Sequence, residues 1–399
     1  MRAAARVLLI LFAFCIPWEY SLDFAPPWGN IARLAGLTSL LVAIPAILQA
    51  GRTRAPGLLQ WLSLLLFAWL CATYFWSIEP EVTLARLPGY LQELMIVWLV
   101  GEFVQSKDEL CNILRAWLAG CAVLAGLTLG AAAALHSVDQ TRFFAAGQDP
   151  NDTARFLALG LPIAVLLAEW SEKAWSRRLM LLYLPLGIVA IIATASRGGF
   201  ITMLVALAGS GALMVRNRRI HSARALVVTA VVVTVGFLVI PRGSFVRIAT
   251  IPEQLNGGGL NQRMSIWREG WRTFQQAPFL GHGAGTFVAA AGLAPIDTAH
   301  NTALSVLVEG GIAGLAIGIA VVGCCVTMAC AVRGELRIAL LSMLAAWAVA
   351  SFVGTTGESR TTWLLFAVIA VAARLRQAGA GAHAEFSAVN RLASAGAGS

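Results

Sequence analysis

Residues 299–332 read AHNTALSVLVEGGIAGLAIGIAVVGCCVTMACAV. Beyond Glu309 the stretch holds no Asp, Glu, Lys, Arg or His. A helix needs about 20 apolar residues to cross a bilayer, and backbone in hydrocarbon must satisfy its own hydrogen bonds, so a run of this kind reads as a helix. It is too long for one straight span and must be tilted or extend beyond the bilayer. Comparable runs recur on both sides of it, at approximately 4–18, 30–50, 57–77, 88–105, 110–135, 151–170, 179–196, 198–215, 223–240, 336–354 and 362–376. That predicts an all-α polytopic membrane protein with about 12 transmembrane helices.

Composition agrees. Of 399 residues, 58% are hydrophobic and 12% charged, about half the charge of a soluble domain. The net charge of +9 would suggest nucleic acid on a soluble chain, but here Arg52/Arg54, Lys173/Arg177/Arg178, Arg216/Arg218/Arg219/Arg224, Arg333/Arg337 and Arg374/Arg376 fall on one side of the predicted spans. Basic loops mark the cytoplasmic side, so both termini are expected there and no nucleic-acid partner is implied. The seven Cys lie in or beside apolar runs, with no metal-type cluster and no disulfide framework. Residues 1–376 read as a single transmembrane domain containing a long outer segment, 241–298; residues 377–399, rich in Ala, Gly and Ser, read as a disordered cytoplasmic tail. The basic, apolar N-terminus lacks a small-residue cleavage site and reads as a retained first span.

The outer side is the informative one. It carries Arg142, Arg155, Arg197, Arg242, Arg247, Arg263, Arg268, Arg272 and Arg360, with no Lys. Cations on that side oppose the topology trend. Exclusive use of Arg points to bidentate recognition of phosphate or carboxylate. After the break at Asn256–Gly259, Met264, Trp267, Trp271 and Phe274 recur at helical spacing, while Arg268 and Arg272 share another face. This predicts an amphipathic helix between spans 9 and 10, lying on the outer interface or packed on the bundle. Pro278–Phe287, with glycines at 281, 283 and 285, lacks the Lys-Ser/Thr of a nucleotide loop; His282, without an acidic companion, reads as a loop residue. Asp297 or Thr298 is expected to cap the tenth span, with His300 in its first turn, neutral near pH 7 beside the positive helix end, and either a proton acceptor or a polar interface residue.

Taken together, Arg197 in Ser196-Arg197-Gly198-Gly199, Arg263 ahead of Trp267 and Gly270, the 278–287 run, and His300-Asn301 followed by Leu304, Glu309-Gly310-Gly311 and Gly314 resemble the O-antigen ligase/polymerase superfamily. The Gly147–Ala154 stretch is similar to a recurrent feature there. The resemblance covers about 140–315 in motif detail and the whole chain in topology. It implies a GT-C-like layout and glycosyl transfer from an undecaprenyl-diphosphate-linked glycan at the periplasmic face of a bacterial inner membrane. Three branches are compatible: ligases acting on the lipid A–core oligosaccharide, polymerases, and O-oligosaccharyltransferases acting on protein. The short tail disfavours the last, and a ligase working as a monomer among membrane lipids is taken first. The resemblance further implies His300 as general base, Arg197 and Arg263 as catalytic cations, and Arg142, Arg155, Arg197 and Arg263 on the diphosphate, with Asn301, Trp267, Arg268, Arg272 and Arg360 in support. Inversion by single displacement needs no paired carboxylates. No cofactor is expected, and the outer loops show no Asp-x-Asp element or His/carboxylate cluster for a metal. A secondary transporter also has about 12 spans, but repeated halves are not evident and the ionisable residues concentrate at the outer mouth.

Overall fold

The computed structural model describes residues 1–24, 29–51, 53–134, 141–216, 234, 240–255, 262–295 and 297–377. The predicted ninth span, 223–240, the Asn256–Gly259 break and all but the first residue of the tail lie essentially outside them. The architecture is all-α. Its only strands among the described residues are β1 (Asp23–Phe24) and β2 (Gly29–Asn30), a two-residue antiparallel pair.

The main helices are α1 (Arg2–Cys15), α2 (Ile31–Ala50), α3 (Leu58–Ala72), α4 (Pro80–Phe103), α5 (Lys107–Ala134), α6 (Pro150–Glu169), α7 (Ala174–Ala193) and α8 (Arg197–Arg216). Short helices α9 (Arg242–Ala249) and α10 (Ile251–Leu255) follow, then α11 (Arg263–Gln276), α12 (Phe287–Ala290), α13 (Thr302–Ala331), α14 (Gly334–Phe352) and a last helix, α15, over 360–377. Among the described residues, nine helices are long and apolar enough to cross a membrane. Helix α4 begins eight residues before the predicted fourth span and carries the buried Glu93 and Glu102.

Helix α6 is the most enclosed of these spans. It packs against α5, α7, α8 and α14 and contributes Leu157, Leu161, Ile163, Val165 and Leu167 to the main apolar core. Burial of α6 on all faces is why its first turn can hold side chains in fixed positions. At one end of the bundle, Arg2 pairs with Glu102, Arg6 with Glu109 and Arg216 with Glu335, while Arg374 donates to the carbonyls of Gly101 and Val104. Of the basic residues expected on one side, Arg216 and Arg374 take part in these contacts.

The tenth span is a broken helix. Gly311 takes φ 65° and ψ −167° inside α13, a conformation open to glycine. The backbone groups freed by the break are paired by the 278–283 segment. His282 N–H donates to Val308 O at 2.8 Å, Gly283 N–H to Glu309 O at 2.9 Å, and Ile312 N–H to Pro278 O at 2.8 Å. Such re-pairing is what allows irregular backbone at membrane depth. Gly281 is required for the fit, since a Cβ there would lie within 2.6 Å of the Glu309 carbonyl and the Gly311 nitrogen.

Candidate functional site

Helix α11 docks on α13 through Ile266 and Phe274, which pack with Phe287, Leu304 and Val308, while Gly270 allows Leu304 and Phe287 to approach. The predicted stripe is therefore divided: Phe274 faces the bundle, Trp267 is half-buried, and Met264 and Trp271 stay exposed at 46% and 50%. Arg268 and Arg272 are exposed, and Arg272 pairs with Glu269 at 2.7 Å. They are not drawn into the cluster described next.

Trp267 Nε1 donates to Ala299 O at 3.0 Å, and its ring meets Phe352 edge-on at 5.7 Å. Asn301 caps α13, its Oδ1 accepting from Leu304 N–H at 2.9 Å, and its Nδ2 donates to Phe352 O at 3.3 Å. The cap is thus Asn301 and not Asp297 or Thr298; Asp297 instead accepts from Ala294 N–H. His300 precedes the helix and does not lie in its first turn. Its two chain neighbours are fixed, Ala299 by the Trp267 indole and Asn301 by its capping bond.

His300 has φ 47°, and the only other non-glycine residues with positive φ among the described ones are Ala195 and Gln262. One precedes the Ser196-Arg197 pair, the other directly precedes Arg263. Such backbone costs about 1–3 kcal/mol per residue and collects at functional sites. Here every instance is a predicted site residue or lies within two positions of one. Thr298 Oγ1 lies 3.1 Å from His300 Nδ1. With Nδ1–H donating to that hydroxyl, Nε2 keeps a free lone pair. Burial holds the His300 pKa below the ordinary 6.5, with Arg263 and Arg155 reinforcing the effect and Asp149 and Asp297 opposing it. Desolvation, more than a helix end, keeps this imidazole neutral.

The arginines come from three helices and the loop before α6. Arg142 donates from Nε to Thr194 O at 3.3 Å and from Nη2 to Asn151 Oδ1 at 3.1 Å. The same Asn151 oxygen accepts from Ser196 Oγ at 2.8 Å, so Asn151 joins the start of α6 to the start of α8. Arg155, on the first turns of α6, pairs with Asp152, and its guanidinium lies against Gly354 of the turn before α15. Arg197 opens α8 as its first residue and donates to Arg247 O at 3.1 Å and Thr250 Oγ1 at 2.6 Å. Arg263 opens α11.

Burial lowers Arg142 to about 10, with Arg247, Arg263 and Arg197 adding and Asp149 opposing. Arg263 is lowered by burial first, with Asp149 opposing and Arg197 adding. Each guanidinium stays charged, and the mutual repulsion marks a concentration of cations only partly offset by Asp149 and, at Arg155, by Asp152. An anion is what such a cluster lacks. Arg142, Arg155, Arg263 and His300 share this field; Arg197 acts on Arg142 and Arg263.

Arg360 lies elsewhere. It pairs with the buried Glu19 and donates to Gln92 Oε1 at 2.5 Å. Beside it, Arg86 pairs with Glu358 at 2.9 Å and Tyr90 Oη donates to Glu358 Oε1 at 3.0 Å. This network was missed from the sequence, although Glu93 within a predicted span and Glu19 at the edge of another were its signal. Glu309 is buried and accepts from Gly285 N–H at 2.8 Å and Ser305 Oγ at 3.2 Å. His282 is a loop residue as expected, its Nε2 3.0 Å from Thr273 O. Among the described residues, no three His, Cys, Asp or Glu side chains converge as metal ligands.

A comparison with curated proteins gives no match. A family model described as O-antigen ligase matches residues 179–319. The matched stretch holds Arg197, Arg263 and His300, and over it the chain is similar to the O-antigen ligase family.

Proposed function

We propose that the protein is an O-antigen ligase: an inner-membrane glycosyltransferase that moves a glycan from undecaprenyl diphosphate to a lipid A–core oligosaccharide at the periplasmic face. The observation that carries this reading is the strained, desolvated His300 within the field of Arg263 and Arg155.

Arg142, Arg155, Arg197 and Arg263 hold the diphosphate and neutralise the charge that grows on it as it leaves. A hydroxyl of the acceptor attacks the anomeric carbon. The new C–O bond forms as the bond to the diphosphate oxygen breaks, and undecaprenyl diphosphate departs with the electron pair. Nε2 of His300 takes the hydroxyl proton. One displacement inverts the anomeric centre without a covalent intermediate. Trp267 and Asn301 set the position of the base.

The test is purified protein mixed with lipid-linked glycan and lipid A–core acceptor, scored for the joined product. Joined product supports the ligase. Longer lipid-linked glycan formed without the acceptor identifies a polymerase instead, and product of neither kind rejects glycosyl transfer.

A further inference from the structure

We infer that Gln148 is a sugar-binding residue of this site, its side-chain amide hydrogen-bonding hydroxyls of the glycan beside the diphosphate. The inference rests on the glycosyl-transfer reading above, which accounts for the diphosphate and the proton but for nothing that holds the sugar.

Gln148 is 4% exposed, and neither its Oε1 nor its Nε2 has a hydrogen-bond partner among the described residues. A buried amide with both ends unpaired is rare in a folded protein, because desolvating it goes uncompensated. The neighbouring residues repeat the pattern. Thr153 Oγ1 and Arg155 Nε on α6, and Thr355 Oγ1 at the turn before α15, are also buried without a partner among the described residues. The two segments are in contact, since the Arg155 guanidinium lies against Gly354.

Position ties Gln148 to the reacting groups. It directly precedes Asp149, whose charge reaches Arg142, Arg155, Arg263 and His300. Chemistry then selects the ligand. The N-terminus of α6 is no seat for a phosphate, because Asp149 already accepts from the N–H groups of Asn151 and Asp152 at 2.7 and 3.2 Å. A neutral amide offers one acceptor and two donors, the complement of adjacent hydroxyls that each donate and accept. Uncharged threonine hydroxyls suit the same polyol. The guanidinium groups are left for the charged part of the donor.

The experiment measures binding of two lipids to the full-length protein: lipid-linked glycan purified from the host, and bare undecaprenyl diphosphate. Gln148→Leu is expected to weaken the glycan-bearing lipid about ten- to a hundredfold and to leave the bare lipid within about twofold, whereas Arg263→Ala weakens both. Gln148→Glu, of equal size and keeping an acceptor, is expected to recover part of the lost affinity, and it reads the same contact if the Leu variant fails to fold. Unchanged glycan-lipid binding in the folded Leu variant, or equal loss for both lipids, overturns the inference and leaves Gln148 holding buried water or the loop. If the wild type binds neither lipid, the glycosyl-transfer reading falls first and takes this one with it.

Discussion

Oε2 of Glu309 accepts the backbone N–H of Gly285 at 2.8 Å. Both residues lie where the 278–287 segment pairs with the broken α13, so this carboxylate fastens a loop to a helix break. Glu309→Ala leaves the Gly285 N–H and the Ser305 hydroxyl without an acceptor and is expected to cost about 2–4 kcal/mol. Glu309→Gln keeps an oxygen and is expected to cost about 1 kcal/mol. Thermal unfolding in detergent gives both values, with transfer measured on the folded fraction. A Glu309→Gln protein of wild-type stability and no transfer would assign the carboxylate to the chemistry.

The base must be neutral to act, and burial lowers the pKa of His300 from 6.5. Raising the pH through a lowered value frees the imidazole sooner, so the acid limb of the kcat/KM profile is expected to have its midpoint below 6.5. His300→Ala should lower transfer about a hundred- to ten-thousandfold and remove that limb. An acid limb unchanged in the Ala variant would discharge His300 as the base.

The arginines divide by environment. Arg142→Ala and Arg263→Ala are each expected to lower kcat/KM about a hundred- to a thousandfold, and Arg263→Lys to recover little of it, since a point charge does not reproduce a planar fork. Arg268→Ala and Arg272→Ala, exposed on α11, should stay within about threefold, as expected for surface charges. Kinetics on the four Ala variants decide it: a similar loss at Arg272 and Arg263 would contradict the division.

Arg360 and Glu19 are a buried pair. Arg360→Ala strands the carboxylate and is expected to destabilise the protein by about 3–5 kcal/mol, while KM for the lipid-linked donor changes little in the protein that folds. A Tm near wild type together with a raised KM would move Arg360 into the substrate site.

Metal removal gives a further check. With guanidinium groups supplying the positive charge, EDTA is expected to leave the transfer rate unchanged. Loss of activity restored by added Mg²⁺ or Mn²⁺ would show that the arginines do not suffice.

Much of the site was legible because its residues oppose their surroundings. Arg142, Arg155, Arg197 and Arg263 stood out as cations on the side where cations are uncommon, and His300 stood beside the longest apolar run. What escaped is what depends on partners distant in the chain. Arg268 and Arg263 are alike in sequence, yet one is exposed and the other lies in the field of Asp149 and Arg197. Asn151 and Gln148 carry no charge and were read only as part of the Gly147–Ala154 stretch, although one joins Arg142 to Ser196 and the other is buried with its amide unpaired among the described residues. The cap of α13 was assigned to Asp297 or Thr298 because either residue type suits it; backbone direction selected Asn301.

Apolar run length and the absence of hydrogen-bonding partners in lipid determined, from the sequence by itself, that this chain is an all-α bundle of membrane-spanning helices. Those constraints act on each segment alone. The break at Gly311 filled by the 278–283 segment, the strained backbone at His300, and the division between buried and exposed arginines were decided only by the tertiary structure. Each depends on desolvation and on the alignment of groups from different helices, and neither exists until the helices pack.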